Sequence, residues 1–600
     1  MVGIAAESFR VVLLSACVVS ATTSADVQWP RCVEGFDLRG GDLDGGPLPA
    51  ASAEACEASC VASGSCVAYS YHKPEPCSDH GEHCPYPQGC CHLKSAGDMN
   101  PTGDAGMHPT NNRCACSALL RVPPQADPLP RMPGKDARNV LYVLFDDLRP
   151  QLPGSYGHDS VHAPNIQRLA ESGTVFRRAY CQIAVCSPSR MSFLTGRRPT
   201  TTRTMNFMDH FRQADCGINR PNATLAGVKA VIASEEIASH SGGSGQCCTS
   251  CTANPECTHW AYVGQLCNLY SADVARVSFK ESAGVVSGMS GTWRDWSSLP
   301  QVFQRSGWLT MGSGKIFHTE EGGTGPSAEL RGEGMPPNQD PPSWTPGLSM
   351  SHVNSVAPMD DAAHSCHVTS ESSTCPVDAR LDGSLNKNKT SENDGEFEDK
   401  IIANDAILKL RLAARQWRVM GRPFMLAIGF RKPHLSFRFP TPFLEYYPKL
   451  ADVPLAKYSA LDASIPPIAH QDTENPGQVP WQPMDESSAR RFRLYYAATI
   501  SWVDTQLGRV LDELSATGLS NDTIVVMHSD HGWSLGEQGE WQKFTNFELG
   551  ARVPLVVHDP LKPAAVSDVV VELVDVMPTL MDLAGVPKSA LGDEILDGSS

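Results

Sequence analysis

At 600 residues, with 41% hydrophobic and 19% charged content, the chain has an ordinary globular composition. It is long enough for more than one core, since single cores stop growing near roughly 250–300 residues. A formal net charge of −17 excludes a broad nucleic-acid or anionic-membrane surface and obliges an anionic substrate to find a local positive pocket. From the N-terminus, Val11 to Val19 is a short apolar run behind Arg10, followed by small residues up to Ala25. That pattern predicts a signal peptide over 1–25, with an unusual N-terminal helix as the other reading because Glu7 sits in the charged region. No later stretch reaches the roughly 20 uninterrupted apolar residues of a membrane-spanning helix.

Of the 21 cysteines, ten crowd between Cys32 and Cys116. Their irregular spacing, without regularly placed His, points to disulfides in an oxidising compartment before zinc. The pattern Cys56-x3-Cys60-x5-Cys66-Val-Ala-Tyr, closing with Cys91-His-Leu-Lys-Ser-Ala, recurs as Cys247-x3-Cys251-x5-Cys257-Thr-His-Trp-Ala-Tyr, closing with Cys267-Asn-Leu-Tyr-Ser-Ala. Two copies of one small module follow, at 30–118 and 213–295, each too small to hold a core without disulfides. The Pro-rich stretch from Pro123 to Pro133 reads as a linker within 119–136. Asn222, Asn388 and Asn521 each begin a glycosylation sequon.

Between and after the modules the pattern changes. Asn139 to Phe145, Phe424 to Phe430 and Thr523 to Ser529 are continuous apolar runs, as expected of strands buried on both faces of a parallel sheet. Helical periodicity appears over 165–172 and 491–514. The expected architecture is an α/β domain in two parts, 137–212 and 296–600, interrupted by the second module. Two of the strands end in acids, Asp146-Asp147 and Asp530-His531, on the rim where such sheets gather ligands. Oxygen ligands on one rim suit a hard divalent cation, although an acidic pair after a strand commonly does no more than cap a loop.

Specific motifs then line up in order: Asp146-Asp147-Leu-Arg-Pro150, Cys186-Ser-Pro-Ser-Arg190 with Phe193-Leu-Thr-Gly-Arg-Arg-Pro199, Gly314-Lys315-Ile-Phe-His318, Cys375-Pro-Val-Asp378, Lys432-Pro-His434, and Ser529-Asp-His-Gly-Trp533 through Trp541-Gln-Lys543. Together they resemble the type I sulfatases, nearest the iduronate-2-sulfatase branch, from about 139 to 590. The two Cys-rich copies resemble PAN/apple modules, which elsewhere bind carbohydrate or protein; a spacer without a ligand is the other reading. The sulfatase resemblance implies an alkaline-phosphatase-like, largely parallel sheet sandwiched by helices. It also implies a secreted or lysosome-like enzyme that removes sulfate from a sulfated saccharide, 2-O-sulfated uronate-like.

In that family Cys186 is oxidised to formylglycine by a formylglycine-generating enzyme during secretion, with Pro188 and Arg190 as recognition positions. One hydroxyl of the aldehyde hydrate attacks sulfur, and deprotonation of the other releases sulfate. The resemblance further implies one Ca2+ held by Asp146, Asp147, Asp530, His531 and the modified Cys186. His531, where many sulfatases place Asn, departs from calcium's usual oxygen ligands. Arg190, Lys315 and His318 correspond to groups around the hydrate, with His318 as base; His434 and Lys543 correspond to the pair that grips the ester and protonates the leaving oxygen; Trp533 belongs to the substrate pocket. Cys366 and Cys375 form an expected small disulfide loop, and Cys181 is left bonded elsewhere or free. Leu596 to Ser600 resembles the point where sulfatases continue into a C-terminal subdomain, so a chain without that subdomain is expected. A zinc phosphoester hydrolase of the same superfamily, and an inactive sulfatase-like adhesion protein, remain the competing readings.

Overall fold

The computed structural model describes short segments between 33 and 119 and most of 136–600. Within 33–119 the described residues are 33–34, 36–38, 48–49, 55–56, 59–60, 66–72, 90–95, 107–109 and 115–119; elsewhere, apart from single residues, the described part leaves out 1–32, 120–135, 206–210, 212–219, 227–229, 237–243, 272–277, 290–295, 319–339, 346–347, 349–364, 367–396, 461–463, 467–468 and 471–483. The signal-peptide run, Asn388 and the partner proposed for Cys366 therefore lie outside the described residues.

Among the described residues the largest sheet has seven strands: β1 (Asn139–Asp146), β2 (Thr174–Tyr180), β3 (Leu309–Gly314), β4 (Phe424–Pro433), β5 (Thr523–Ser529), β6 (Arg552–His558) and β7 (Ala565–Glu572). Their spatial order is β3-β4-β1-β5-β6-β2-β7. β3, β4, β1 and β5 are mutually parallel, β6 opposes both its neighbours, and β7 runs parallel to β2. The three apolar runs of the sequence are the central strands, and every residue of β1, β4 and β5 is buried.

The two-residue period of β1 explains the layers. Leu141, Val143 and Phe145 face a core shared with α1 (Pro164–Ser172), α4 (Glu398–Met420) and α5 (Glu486–Ala516). Val140, Tyr142 and Leu144 face the opposite core, shared with α2 (Cys186–Thr195), α3 (Leu299–Arg305) and α6 (Val576–Ala584). The sheet is thus sandwiched by helices, as the sequence indicates.

Each Cys-rich copy forms a five-stranded sheet. In order along the chain their strands are Val33–Glu34, Leu48–Pro49, Cys66–His72, Cys90–Ser95 and Ala115–Leu119 in the first, and Arg220–Ala226, Ala230–Glu236, His259–Val263, Leu266–Ser271 and Ser278–Met289 in the second. In both, the spatial order is first, fifth, third, fourth, second. The repeat read from cysteine spacing is therefore a repeat of topology. Cys247–Cys267 and Cys251–Cys257 are disulfides that tie the second module's helix, Ser244–Ala253, to its sheet and the adjoining loop.

Candidate active site

Parallel pairing brings the carboxyl ends of four strands to one rim. Ser529 pairs with Phe145, Pro433 with Asp146, and Gly429 with Gly314, so the residues that leave β5, β1, β4 and β3 emerge side by side. Asp146 and Asp147, Asp530 and His531, Lys432 to His434, and Lys315 to His318 arrive in this way. The last of these needs two glycines. A Cβ on Gly429 would stand 1.8 Å from the Lys315 carbonyl oxygen, and Gly314 has φ +78°. With both glycines in place, the Lys315 amide donates to the Gly429 carbonyl at 2.8 Å.

Cys186 comes from elsewhere. It is the first residue of α2, follows the extended Val185, and is 1% exposed. Its Sγ lies 3.0 Å from Lys543 Nζ, 3.3 Å from His531 Nε2 and 3.5 Å from an Asp146 carboxylate oxygen. Burial pushes the thiol up to about 12, against the pull of Lys315 and Lys543. A thiol at that value is protonated at neutral pH and makes a poor nucleophile. A helix N-terminus, by contrast, favours an ionised oxygen at the same position. Cys181 and Cys186 are both buried and free among the described cysteines.

Arg190, one turn along α2, is fully buried and ties the site together. Its Nε donates to Asp530 at 3.0 Å, an Nη stands 3.4 Å from Asp146, and the other Nη donates to the carbonyls of Lys315 at 2.5 Å and Ile316 at 3.0 Å. Lys315 Nζ pairs with Asp146 at 2.5 Å, and Lys543 Nζ with Asp147 at 2.9 Å. Burial raises Asp146, but the charges of Lys315, Arg190 and Lys543 outweigh it and hold the carboxyl well below the usual range. Burial prevails at Asp147 and raises it despite Lys543. Lys543 is held above its ordinary value by Asp147 and its neighbours, which overcome desolvation.

The histidines are oriented by backbone. His531 donates Nδ1–H to the Gly532 carbonyl at 2.9 Å, which leaves Nε2 facing Cys186, Asp147 at 3.4 Å and Asp530 at 3.7 Å. His434 donates Nδ1–H to the Leu435 carbonyl and turns Nε2 toward Asp147, 3.9 Å away. Burial, reinforced by Lys543, keeps His434 neutral. Burial and Lys315 do the same for His318 in the loop after β3.

The ligand atoms of Asp146, Cys186, Asp530 and His531 lie within 4.8 Å of one another, as do those of Asp146, Asp147, Cys186 and His434. Asp147 Oδ2 is buried without a hydrogen-bond partner, a free acceptor aimed into the cluster. Carboxylates, one imidazole lone pair and an orphan oxygen form a donor set that fits a divalent cation, with the Cys186 Sγ standing where the oxygens of a modified side chain would be.

The structure brings together Asp146, Asp147, Cys186, Arg190, Lys315, His318, His434, Asp530, His531 and Lys543. Trp533 is placed differently: at 1% exposure it stacks on Tyr496, with Lys543 Nζ 5.7 Å above its ring, so it supports the lysine from below. Several supports went unnoticed in the sequence. The Tyr496 hydroxyl donates to the Asp147 carbonyl at 2.7 Å and accepts from the Arg149 amide at 2.9 Å, fixing Asp147 at φ +69°. Asp399, in the first turn of α4, accepts from the Arg431 and Lys432 amides that lead to His434. These are side-chain-to-backbone contacts between distant segments, and sequence spacing carries no signal of them.

The sulfatase family model matches residues 138–226 and 267–586, and a PAN domain model matches 36–94 and 218–273. Iduronate 2-sulfatase of Mus musculus is 30% identical over 498 residues, covering 75% of this chain and 69% of its own length. The protein of the same name from Homo sapiens is 29% identical over 493 residues, with the same shares. A sulfatase of Formosa agariphila is 24% identical over 461 residues, covering 75% and 70%.

Proposed function

Since the chain belongs to the sulfatase family and is an enzyme that hydrolyses sulfate esters, we propose that it desulfates a saccharide carrying a 2-O-sulfated, uronate-like residue. It does so at Cys186 after oxidation to formylglycine, with one calcium ion. The observation that carries this reading is the convergence on Cys186 of three buried acids, three buried bases and two neutral histidines from four strand ends, α2 and the loop at 543.

Asp146, Asp147, Asp530 and His531, with the modified residue 186, are the ligands we assign to calcium. The ion would supply Lewis acidity toward the sulfate oxygens and would favour an ionised hydroxyl at 186. Formylglycine at 186 would supply a geminal diol, a nucleophile that carries its own release chemistry. The chain's own residues do the rest. Lys543 and Lys315 provide fixed positive charge beside residue 186. His318 is neutral, as a base must be. His434 is neutral in the free site, and the charge of an arriving ester favours its protonated form, which makes it a proton donor only when substrate is present. Arg190 keeps Asp530 and Asp146 in place.

The disulfides of the second module support passage through an oxidising secretory compartment and a secreted or lysosome-like location. No helix among the described residues is long and apolar enough to cross a membrane. The formylglycine-generating enzyme is then a required partner, and the PAN modules are the candidate surfaces for a carbohydrate or protein ligand.

The test is peptide mass spectrometry at residue 186 of protein from its native source, combined with turnover of a 2-O-sulfated uronate disaccharide against an aryl sulfate in calcium. Formylglycine at 186 and preference for the disaccharide are expected. An intact thiol overturns the mechanism, and preference for the aryl ester overturns the substrate.

A further inference from the structure

Phe544 directly follows Lys543 and is 39% exposed, whereas Lys543 itself is 4% exposed. Among the large exposed hydrophobic residues that are described, it alone adjoins a residue of the site in sequence. Its backbone has φ +75°, a left-handed conformation that a bulky residue rarely adopts. Gln542, on the other side of the lysine, has φ +66°. Backbone held in such regions persists where the surroundings impose it, and it concentrates at functional sites. Here the imposition is visible: the Phe544 amide donates to the Ala184 carbonyl at 3.1 Å, which clamps the turn to the segment that delivers Cys186. Lys543 Nζ stands 5.9 Å from the centre of the Phe544 ring and 3.0 Å from Cys186 Sγ.

We infer that Phe544 is a specificity residue, an aromatic platform that receives the sugar ring bearing the sulfate. This rests on the sulfatase reading of the site. An ester whose sulfur meets residue 186 places its bridging oxygen near Lys543, and the group on that oxygen then extends past the lysine toward solvent. Among the described residues, Phe544 is the exposed aromatic side chain next in sequence to that lysine. A pyranose has an apolar C–H face that packs on an aromatic ring, while its hydroxyls and carboxylate stay at the wet edge. A small alkyl ester reaches the lysine but is too short to cover the ring.

Phe544→Asn and Phe544→Tyr separate the possibilities. Asn tolerates the left-handed backbone and removes the ring, whereas Tyr keeps the ring. Rates are measured per mole of formylglycine, on a 2-O-sulfated uronate disaccharide and on ethyl sulfate. For F544N, kcat/KM on the disaccharide is expected to fall about tenfold, mostly in KM, with ethyl sulfate within about twofold of the parent. F544Y is expected to behave as the parent on both. If F544N changes both substrates equally, or neither, the platform is overturned and the sulfatase reading stands. A parent enzyme that turns over neither substrate overturns both.

Discussion

The pair Asp405–Lys409 lies behind the site on α4 and tests how the strand that delivers Lys315 is held. Lys409 is buried; its Nζ pairs with Asp405 and donates to the Gly312 carbonyl at 2.7 Å and to Ser313 Oγ at 3.3 Å. Ser313 Oγ in turn donates to Asp405 at 2.5 Å, and the second Asp405 oxygen is buried without a hydrogen-bond partner. Lys409→Met preserves most of the volume but leaves Asp405 charged in the core with one hydroxyl for company, and it strips a donor from Gly312. Breaking a buried pair from one side costs about 3–5 kcal/mol. We expect K409M to lose about 4 kcal/mol. The double variant D405L/K409M removes both charges and is expected to lose less than half as much, because no orphan ion remains. Denaturant unfolding followed by tryptophan fluorescence reads both, with calcium fixed. A K409M loss under 1 kcal/mol, or a double variant as unstable as the single, refutes the reasoning.

Gly429→Ala drives a methyl into the Lys315 carbonyl and is expected to lower kcat at least tenfold while the protein still folds, checked by turnover and far-UV circular dichroism. At Glu537, burial raises the carboxyl, but Arg149 and Arg493 bring it down to about 2 from 4.5. A depressed acid stabilises above its unfolded value, so Glu537→Gln is expected to cost about 3 kcal/mol at pH 7; that difference should persist above pH 4.5 and fade as pH falls toward 2 in paired melts. Calcium removal by chelation is expected to abolish turnover and lower the melting temperature, with both restored by calcium. Recovery with magnesium alone would exclude the calcium assignment.

The sequence displayed what is buried continuously and what carries chemistry. Asn139 to Phe145, Phe424 to Phe430 and Thr523 to Ser529 were legible because a central parallel strand must be apolar on both faces. β2 and β7 were not: Arg177 and Arg178 are exposed on one, and Val566, Val569 and Val570 on the other, so neither shows a buried run. α4 was hidden for the opposite reason, since Asp405 and Lys409 place charges where an apolar stripe would be sought. At the site, motif residues announced themselves, but their roles follow from orientation. Trp533 and Phe544 are both aromatic and flank the same lysine. Only the fold distinguishes the buried one from the exposed one.

The buried ion pairs around Cys186 set Asp146, Asp147 and Asp530 against Arg190, Lys315 and Lys543. At full ionisation this set is electrically neutral as the chain alone provides it. A dication added to that set therefore contributes two uncompensated positive charges, matching the single charge of a sulfate monoester and the single charge of an ionised nucleophile. The free sulfate product carries the same two charges by itself. Its grip on the enzyme should therefore follow calcium occupancy more steeply than that of the desulfated uronate, whose carboxylate carries one charge.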